Sequence, residues 1–300
     1  MTDFESGFND PGWESVARSI CESLRLPNEP LIRAPSSDHV VLLRGRNEVI
    51  KIYRPGRDCF ERERRALRFV GRGCPFAVPE IVADGNFSGY DFLIQTRVPG
   101  RQMTRAELLE LQQSEQIAFV QTLAIGLRRL HEIDPGEIAF DWDAYIAERS
   151  ASFIDRQIAH GVDRHVINAL PSFLEDSLPL VPTQCRNTFM HADVHFGNLR
   201  VDENNWISGL FDFADSRSGF HEYEFLAVGV LMIQGQGELQ REFFRAYGYA
   251  DNELDDVMRR RLMMLTMLYE SADLRRYAMR LCPEAVDWPL DRLERGIWSF

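Results

Sequence analysis

Lysine is all but missing from this chain. Of its 34 basic residues, 33 are arginine and one is lysine, Lys51. The two differ in geometry and hydration, so the one position that keeps an ammonium is a candidate for chemistry a guanidinium cannot do. A stray lysine is the plain alternative. Positive charge is also short overall: 46 acidic residues leave a net charge of −12. That argues against nucleic acid as the main partner, because such binding rests on neutralising phosphates, and it favours a cationic small molecule. The five cysteines are odd in number and never spaced CxxC, which argues against a disulfide framework and a zinc ribbon. The longest apolar stretches, such as 225–233, are too short to span a bilayer. The opening MTDFESGF has no basic start followed by an apolar run, so it does not read as a signal peptide. The expected location is cytoplasmic. Core-forming residues are abundant, at 45% hydrophobic and 11% aromatic, which suits one large globular domain or two modest ones.

The chain changes character near residue 100. After a helical opening at about 11–25, short apolar runs at 40–43 and 49–53 read as strands joined by the turn Arg44-Gly45-Arg46-Asn47. An amphipathic helix is expected at about 58–71. Strand candidates at 79–83 and 90–98 flank a turn at Asp84-Gly85-Asn86, and Val98-Pro99-Gly100 reads as a linker. From residue 104 onward the apolar period becomes helical, with Ile117, Val120, Leu123, Ala124, Leu127 and Leu130 on one face. One hairpin, at about 199–212, interrupts the helices.

Period two in the strand 48–53 places Val49, Lys51 and Tyr53 on one face. A lysine on a core-facing strand must snorkel or meet a carboxylate. The next helix supplies one: Glu63 shares the stripe of Phe60, Leu67 and Val70, while Glu61, Arg64, Arg65 and Arg68 take the solvated side. A structural ion pair and a functional one are both consistent with this pattern. The second cluster is His191-Ala192-Asp193-Val194-His195-Phe196-Gly197-Asn198, followed by a hairpin ending at Asp212. Paired strands lie about 4.8 Å apart, so Asn198 and Asp212, at the open ends, should be neighbours. Two oxygen ligands there suit a hard cation such as Mg²⁺. Asp193, on the same loop, is placed to accept a proton from a substrate hydroxyl.

The run HADVHFGN…FDF resembles the HxDxxxxN loop and DFG-like metal site of the kinase-like phosphotransferases. It is most similar to the aminoglycoside phosphotransferase and choline-kinase-like group, whose loop typically reads HGDxHxxN. The resemblance extends over most of the chain, through VIK at 49–51, ERRALRFV, LIQTRVPG, Arg129-Leu130-His131 and GFHEYEFLAVG. It implies an α+β, two-lobed protein kinase-like fold. A small N-terminal antiparallel sheet with one helix (1–97) would bind nucleotide, and a larger, mainly helical lobe (98–300) would carry catalysis and the acceptor.

Carried over, Lys51 would pair the α- and β-phosphates, Glu63 would orient it, and Val49 would line the nucleotide site. Gln95, Thr96, Arg97 and Val98 would form the hinge that meets the base. Asp193 would be the catalytic base or hydroxyl-orienting group, and Asn198 and Asp212 would hold Mg²⁺. His191, His195 and Glu224 would be scaffold. The phosphate loop should lie at about 34–41, where Ala-Pro-Ser-Ser-Asp-His contains no glycine, leaving Ser36 and Ser37 as donors. Alanine, Ala214, stands where the DFG glycine would be. The expected reaction is transfer of the γ-phosphate of ATP or GTP to a hydroxyl of an aminoglycoside or other cationic antibiotic. Asp215, Glu222, Glu270 and Asp273 are the acceptor-binding candidates. The alternatives are a kinase of a choline-, sugar- or amino-alcohol-type metabolite, a non-catalytic nucleotide-binding module, and a metal-dependent hydrolase using His191, Asp193 and His195 as HxDxH. The hydrolase reading leaves Asn198, Asp212 and Lys51–Glu63 without roles. The expected partners are a small hydroxylated acceptor, neither nucleic acid nor membrane, in a monomer or dimer.

Overall fold

A computed structural model describes residues 12–34, 39–56, 58–71, 73–136, 140–185 and 187–300. The N-terminal lobe is a five-stranded antiparallel sheet of β1 (Leu31–Arg33), β2 (Val40–Arg44), β3 (Glu48–Ile52), β4 (Ile81–Phe87) and β5 (Tyr90–Thr96), in the order β1-β2-β3-β5-β4. Alternation decides its two faces. Val40, Leu42, Ile50, Ile52, Phe92 and Ile94 pack on Trp13, Ala17 and Ile20 of α1 (Gly12–Ser23). The opposite face carries Val41, Leu43, Val49, Lys51 and Gln95, which line a cleft. Behind that face lies α2 (Cys59–Val70), burying Phe60, Glu63, Leu67 and Val70 as its apolar period requires.

One expected turn is a strand instead. Asp84-Gly85-Asn86 lies inside β4, paired with 91–93 of β5, and the chain reverses at Ser88-Gly89. Both of those residues have positive φ, 52° and 89°, as a two-residue hairpin turn demands. Asp84 is held in place by Arg64 of α2, at 3.1 Å.

The larger lobe is helical. Its main elements are α3 (Arg105–Glu110), α4 (Gln113–Leu130), α5 (Trp142–Ala159), α6 (Arg164–Ser177), α7 (Gly237–Tyr247), α8 (Asp256–Leu268), α9 (Leu274–Leu281) and α10 (Leu290–Ile297). Among the described residues no helix is long and apolar enough to cross a membrane. Two small antiparallel ladders are set into this lobe: β7 (Leu199–Val201) with β8 (Ile207–Leu210), and β6 (Thr188–Met190) with β9 (Arg217–Gly219). The second ladder has no signature in the sequence, because each strand is only three residues long.

The hairpin β7–β8 is stitched to the chain above it. Arg101 and Val201 exchange backbone hydrogen bonds at 2.8 and 2.9 Å, and Leu210 N donates to Ala77 O at 2.9 Å. Gly100, at φ 108°, makes the approach possible, since a Cβ there would lie 2.6 Å from Val201 O. The segments around Ala77 and Gly100–Arg101 are thus bonded directly to the hairpin β7–β8.

Candidate active site

Between the lobes lies a cleft of about 630 Å³ lined by Val49, Lys51, Gln95, Thr96, Arg97, Val98, His195, Asn198, Arg200 and Asp212, among others. The expected nucleotide-contacting residues of the sheet and hinge thus share one cavity with both expected metal ligands. Ser36 and Ser37 lie outside the described residues. Arg200 was not anticipated; its guanidinium sits over the Phe211 ring, 4.3 Å from the centroid. Gln95 Oε1 is buried with no hydrogen-bond partner among the described residues.

Lys51 is buried and bridges two carboxylates, Glu63 Oε2 at 2.7 Å and Asp212 Oδ1 at 2.6 Å. Burial opposes the ammonium, but the charges of Asp212 and Glu63 outweigh it and hold the pKa above its ordinary value. Burial also opposes the Asp212 anion, and Lys51 outweighs it, so that carboxyl lies below its usual range. Glu63 is fully buried and also accepts from the Tyr53 hydroxyl. The pair read from sequence periodicity is therefore a triad.

The hairpin geometry brings the expected loop residues together. Leu199 pairs with Leu210, and Phe211 N donates to Asn198 O at 3.0 Å. Asn198 Nδ2 donates to Asp193 Oδ2 at 2.9 Å and to Asp193 O at 3.0 Å. His191 is fully buried, with Nε2 2.9 Å from Phe211 O and Nδ1 accepting from Asp193 N. His195 Nδ1 accepts from Gly197 N at 2.9 Å, and its Nε2 lies 3.3 Å from Asp193 Oδ2. Both histidines brace the loop. Among the described residues no group of three or more His, Cys, Asp or Glu side chains could hold a metal ion. With the His191 nitrogens committed to backbone, the HxDxH hydrolase reading is set aside.

Two non-glycine residues here adopt left-handed backbone, Ala192 (φ 65°) and Asp212 (φ 66°). Each costs about 1 kcal/mol or more unless its surroundings hold it. Lys51 holds Asp212. Ala192 is held by the buried Glu224, which accepts from His191 N at 2.7 Å and Ala192 N at 2.9 Å. Glu224 is in turn 3.4 Å from His131 Nε2, and His131 Nδ1 meets the Tyr247 hydroxyl at 2.7 Å. The Tyr247 ring stacks on His221, with centroids 5.6 Å apart.

That last contact yields a pH prediction. Burial, with His131 and Arg261 nearby, lowers the His221 pKa from 6.5 to about 4. Between those values the unfolded chain takes up a proton that the fold refuses, so stability falls as pH drops through the window. The loss approaches about 3 kcal/mol. Denaturant midpoints measured from pH 7 to pH 4.5 should fall less steeply in His221→Gln than in the parent chain; equal slopes would contradict this.

Beyond Asp193 the expected acceptor residues part company. Glu222 is buried, with Arg261 at 2.6 and 2.7 Å and the Tyr249 hydroxyl at 2.9 Å on its carboxylate. Its carboxylate is engaged by packing partners within the lobe. Asp273 caps α9 by accepting from Arg276 N at 2.9 Å, with its other oxygen 3.7 Å from His160 Nδ1. Asp215 and Glu270 both face the buried Arg217, at 3.8 and 3.2 Å. Burial, followed by the charge of Asp193, pushes the Asp215 carboxyl up. Two further residues escaped the sequence reading. Arg217 lies against the rings of Phe140, Tyr145 and Tyr223, and the Tyr269 hydroxyl donates to Asp193 Oδ1 at 2.8 Å.

Several solved aminoglycoside phosphotransferases share this fold. The GDP complex of aminoglycoside 2′-phosphotransferase-IIIa superposes with a TM-score of 0.71 at 14% identity, covering 97% of this chain and 99% of that one. The gentamicin complex of APH(2″)-IIa gives 0.68 at 18% identity, covering 95% and 98%. The streptomycin–ATP ternary complex of APH(2″)-IIa gives 0.66 at 16%, covering 93% and 97%. At such identities the likeness establishes the two-lobed fold. Residues 31–261 match the profile of the phosphotransferase enzyme family (APH), and the chain belongs to that family.

Proposed function

We propose that this phosphotransferase moves the γ-phosphoryl group of ATP or GTP to a hydroxyl of a small, amine-bearing acceptor of the aminoglycoside kind. The observation that carries the reading is the meeting of Lys51, Asn198 and Asp212 in one cleft, with Asp193 hydrogen-bonded to Asn198. In this reading Lys51 holds the α- and β-phosphates, and the Glu63 pair keeps it extended toward them. The hinge at 95–98 meets the base, for which Gln95 Oε1 is a waiting acceptor. Asp193 orients the acceptor hydroxyl and takes its proton.

The donor set fits Mg²⁺. With Asn198 Nδ2 spent on Asp193, its Oδ1 is the atom left for a cation. Asp212 uses Oδ1 for Lys51 and has Oδ2 to offer. One carboxylate and one amide oxygen, completed by phosphates and water, is a usual Mg²⁺ arrangement. The ion would neutralise charge on the transferring phosphate. Asp212→Ala is expected to abolish the Mg²⁺-dependence of nucleotide affinity; identical Mg²⁺ titrations in parent and variant would remove Asp212 from the metal site.

On the acceptor side, Asp215 and Glu270 are the carboxylates available to ammonium groups, and Arg217 offsets part of their charge. A nucleotide-consumption screen over aminoglycosides, choline, amino alcohols and sugars, with mass spectrometry of the product, tests the reading. A phosphorylated aminoglycoside supports it. Turnover confined to a neutral sugar overturns the acceptor class, and nucleotide binding with no turnover on any acceptor overturns the enzymatic reading.

A further inference from the structure

The two oxygens of Asp193 are divided between two sides of the molecule. Oδ2 is engaged by Asn198 at 2.9 Å and His195 at 3.3 Å, both of which line the nucleotide cleft. Oδ1 accepts from Tyr269, at 2.8 Å, which does not line it. A carboxylate oxygen has two lone-pair directions, so Oδ1 retains one for a second donor. We infer that Tyr269 is a positioning residue for phosphoryl transfer: it fixes Asp193 Oδ1 as the oxygen that receives the acceptor hydroxyl. The inference rests on reading Asp193 as the group that meets the acceptor.

Tyr269 is itself held with unusual care. It follows the last turn of α8, where carbonyls have no partners within the helix. Two arginines of α5 take them up. Arg149 donates to Leu268 O at 3.1 Å, Tyr269 O at 2.9 Å and Glu270 O at 2.7 Å. Arg156, two turns further along, reaches Tyr269 O at 3.3 Å. The Tyr269 ring packs on Tyr223, whose hydroxyl meets that of Tyr145 at 2.6 Å. The backbone here is thus braced from α5, the ring packs on Tyr223, and the hydroxyl meets Asp193. A side chain serving only to fill space would need no hydroxyl, since phenylalanine has the same shape; the hydroxyl is spent on Asp193.

The test uses the full chain and water as the phosphoryl acceptor, so that it does not depend on which acceptor is natural. Hydrolysis of ATP and GTP is compared for the parent, Tyr269→Phe, Arg149→Lys, the double variant and Asp193→Asn, with thermal midpoints recorded for each. Tyr269→Phe is expected to lower kcat about 10-fold with the nucleotide KM unchanged, a split that a packing defect would not produce. Arg149→Lys loses the forked donor and should lower kcat in the same direction. If Arg149 acts through Tyr269, the double variant is no slower than Tyr269→Phe alone. Parent-like kcat in Tyr269→Phe, or losses that multiply in the double variant, overturns the inference. If Asp193→Asn hydrolyses nucleotide at the parent rate, it is the reading of Asp193 that fails.

Discussion

Replacing Asp193 by alanine is expected to lower turnover by roughly 10²-fold or more while nucleotide affinity stays within a few fold. The separation of the two effects follows from where Asp193 sits. It touches the nucleotide cleft only through Asn198 and His195, and its other oxygen faces Tyr269. Removing the carboxylate deletes the group proposed to orient and deprotonate the acceptor and leaves Lys51, residues 95–98 and Asp212 in place. Steady-state kinetics and nucleotide titration on the same preparation check this. Unchanged turnover would exclude Asp193 as the group that handles the acceptor proton.

The second large effect is expected from Lys51→Met, and it should appear in stability as well as in donor binding. Lys51 and Glu63 are 3% and 0% exposed. Deleting one partner of such a buried pair leaves the other uncompensated, at a cost of roughly 3–5 kcal/mol. The sign with pH can be worked out from the two shifts. The Asp212 carboxyl is depressed, so its contribution is present above the ordinary carboxylate range and fades as pH falls through the lowered value. The Lys51 ammonium is raised, so its contribution is complete below the ordinary lysine value and is lost only above the raised one. Burial pushes the Glu63 carboxyl up, against the pull of Lys51, so the Lys51–Asp212 arm is the part of the triad charged across neutral pH, where the parent and Lys51→Met should differ in denaturant midpoint. Lys51→Arg should restore little, because a planar fork cannot occupy a point between two carboxylates 2.6 and 2.7 Å away. Equal midpoints for parent and Lys51→Met would mean that the buried triad does not contribute to the fold.

Much of this site is legible in the chain because its logic is local. The stripe that buries Glu63 and the alternation that turns Lys51 inward are periodic signals. A hairpin constrains its own ends, so the spacing of Asn198 and Asp212 in the chain already makes them neighbours. What escaped was decided at a distance. Glu222 looks like a free carboxylate until Arg261, 39 residues on, is seen folded onto it. Tyr269 reads as one more apolar residue at the end of α8, and its role depends on Asp193, 76 residues away. Arg217 gave no sign that three aromatic rings would enclose it. Asp273 is the exception. An aspartate just before a helical run is a local capping signal, and here it caps α9. The misplaced turn at 84–86 shows the opposite limit: turn-prone residues were overruled by ladder pairing with β5 and by the ion pair from Arg64.

Lys51 carries the only side-chain primary amine in the 300 residues. An acylating reagent therefore finds a single ε-nitrogen, and in the closed triad that nitrogen is shielded and protonated, hence a poor nucleophile. Its labelling rate becomes a clock for how often the Glu63–Asp212 clamp opens, with no other ε-amine in the chain contributing background.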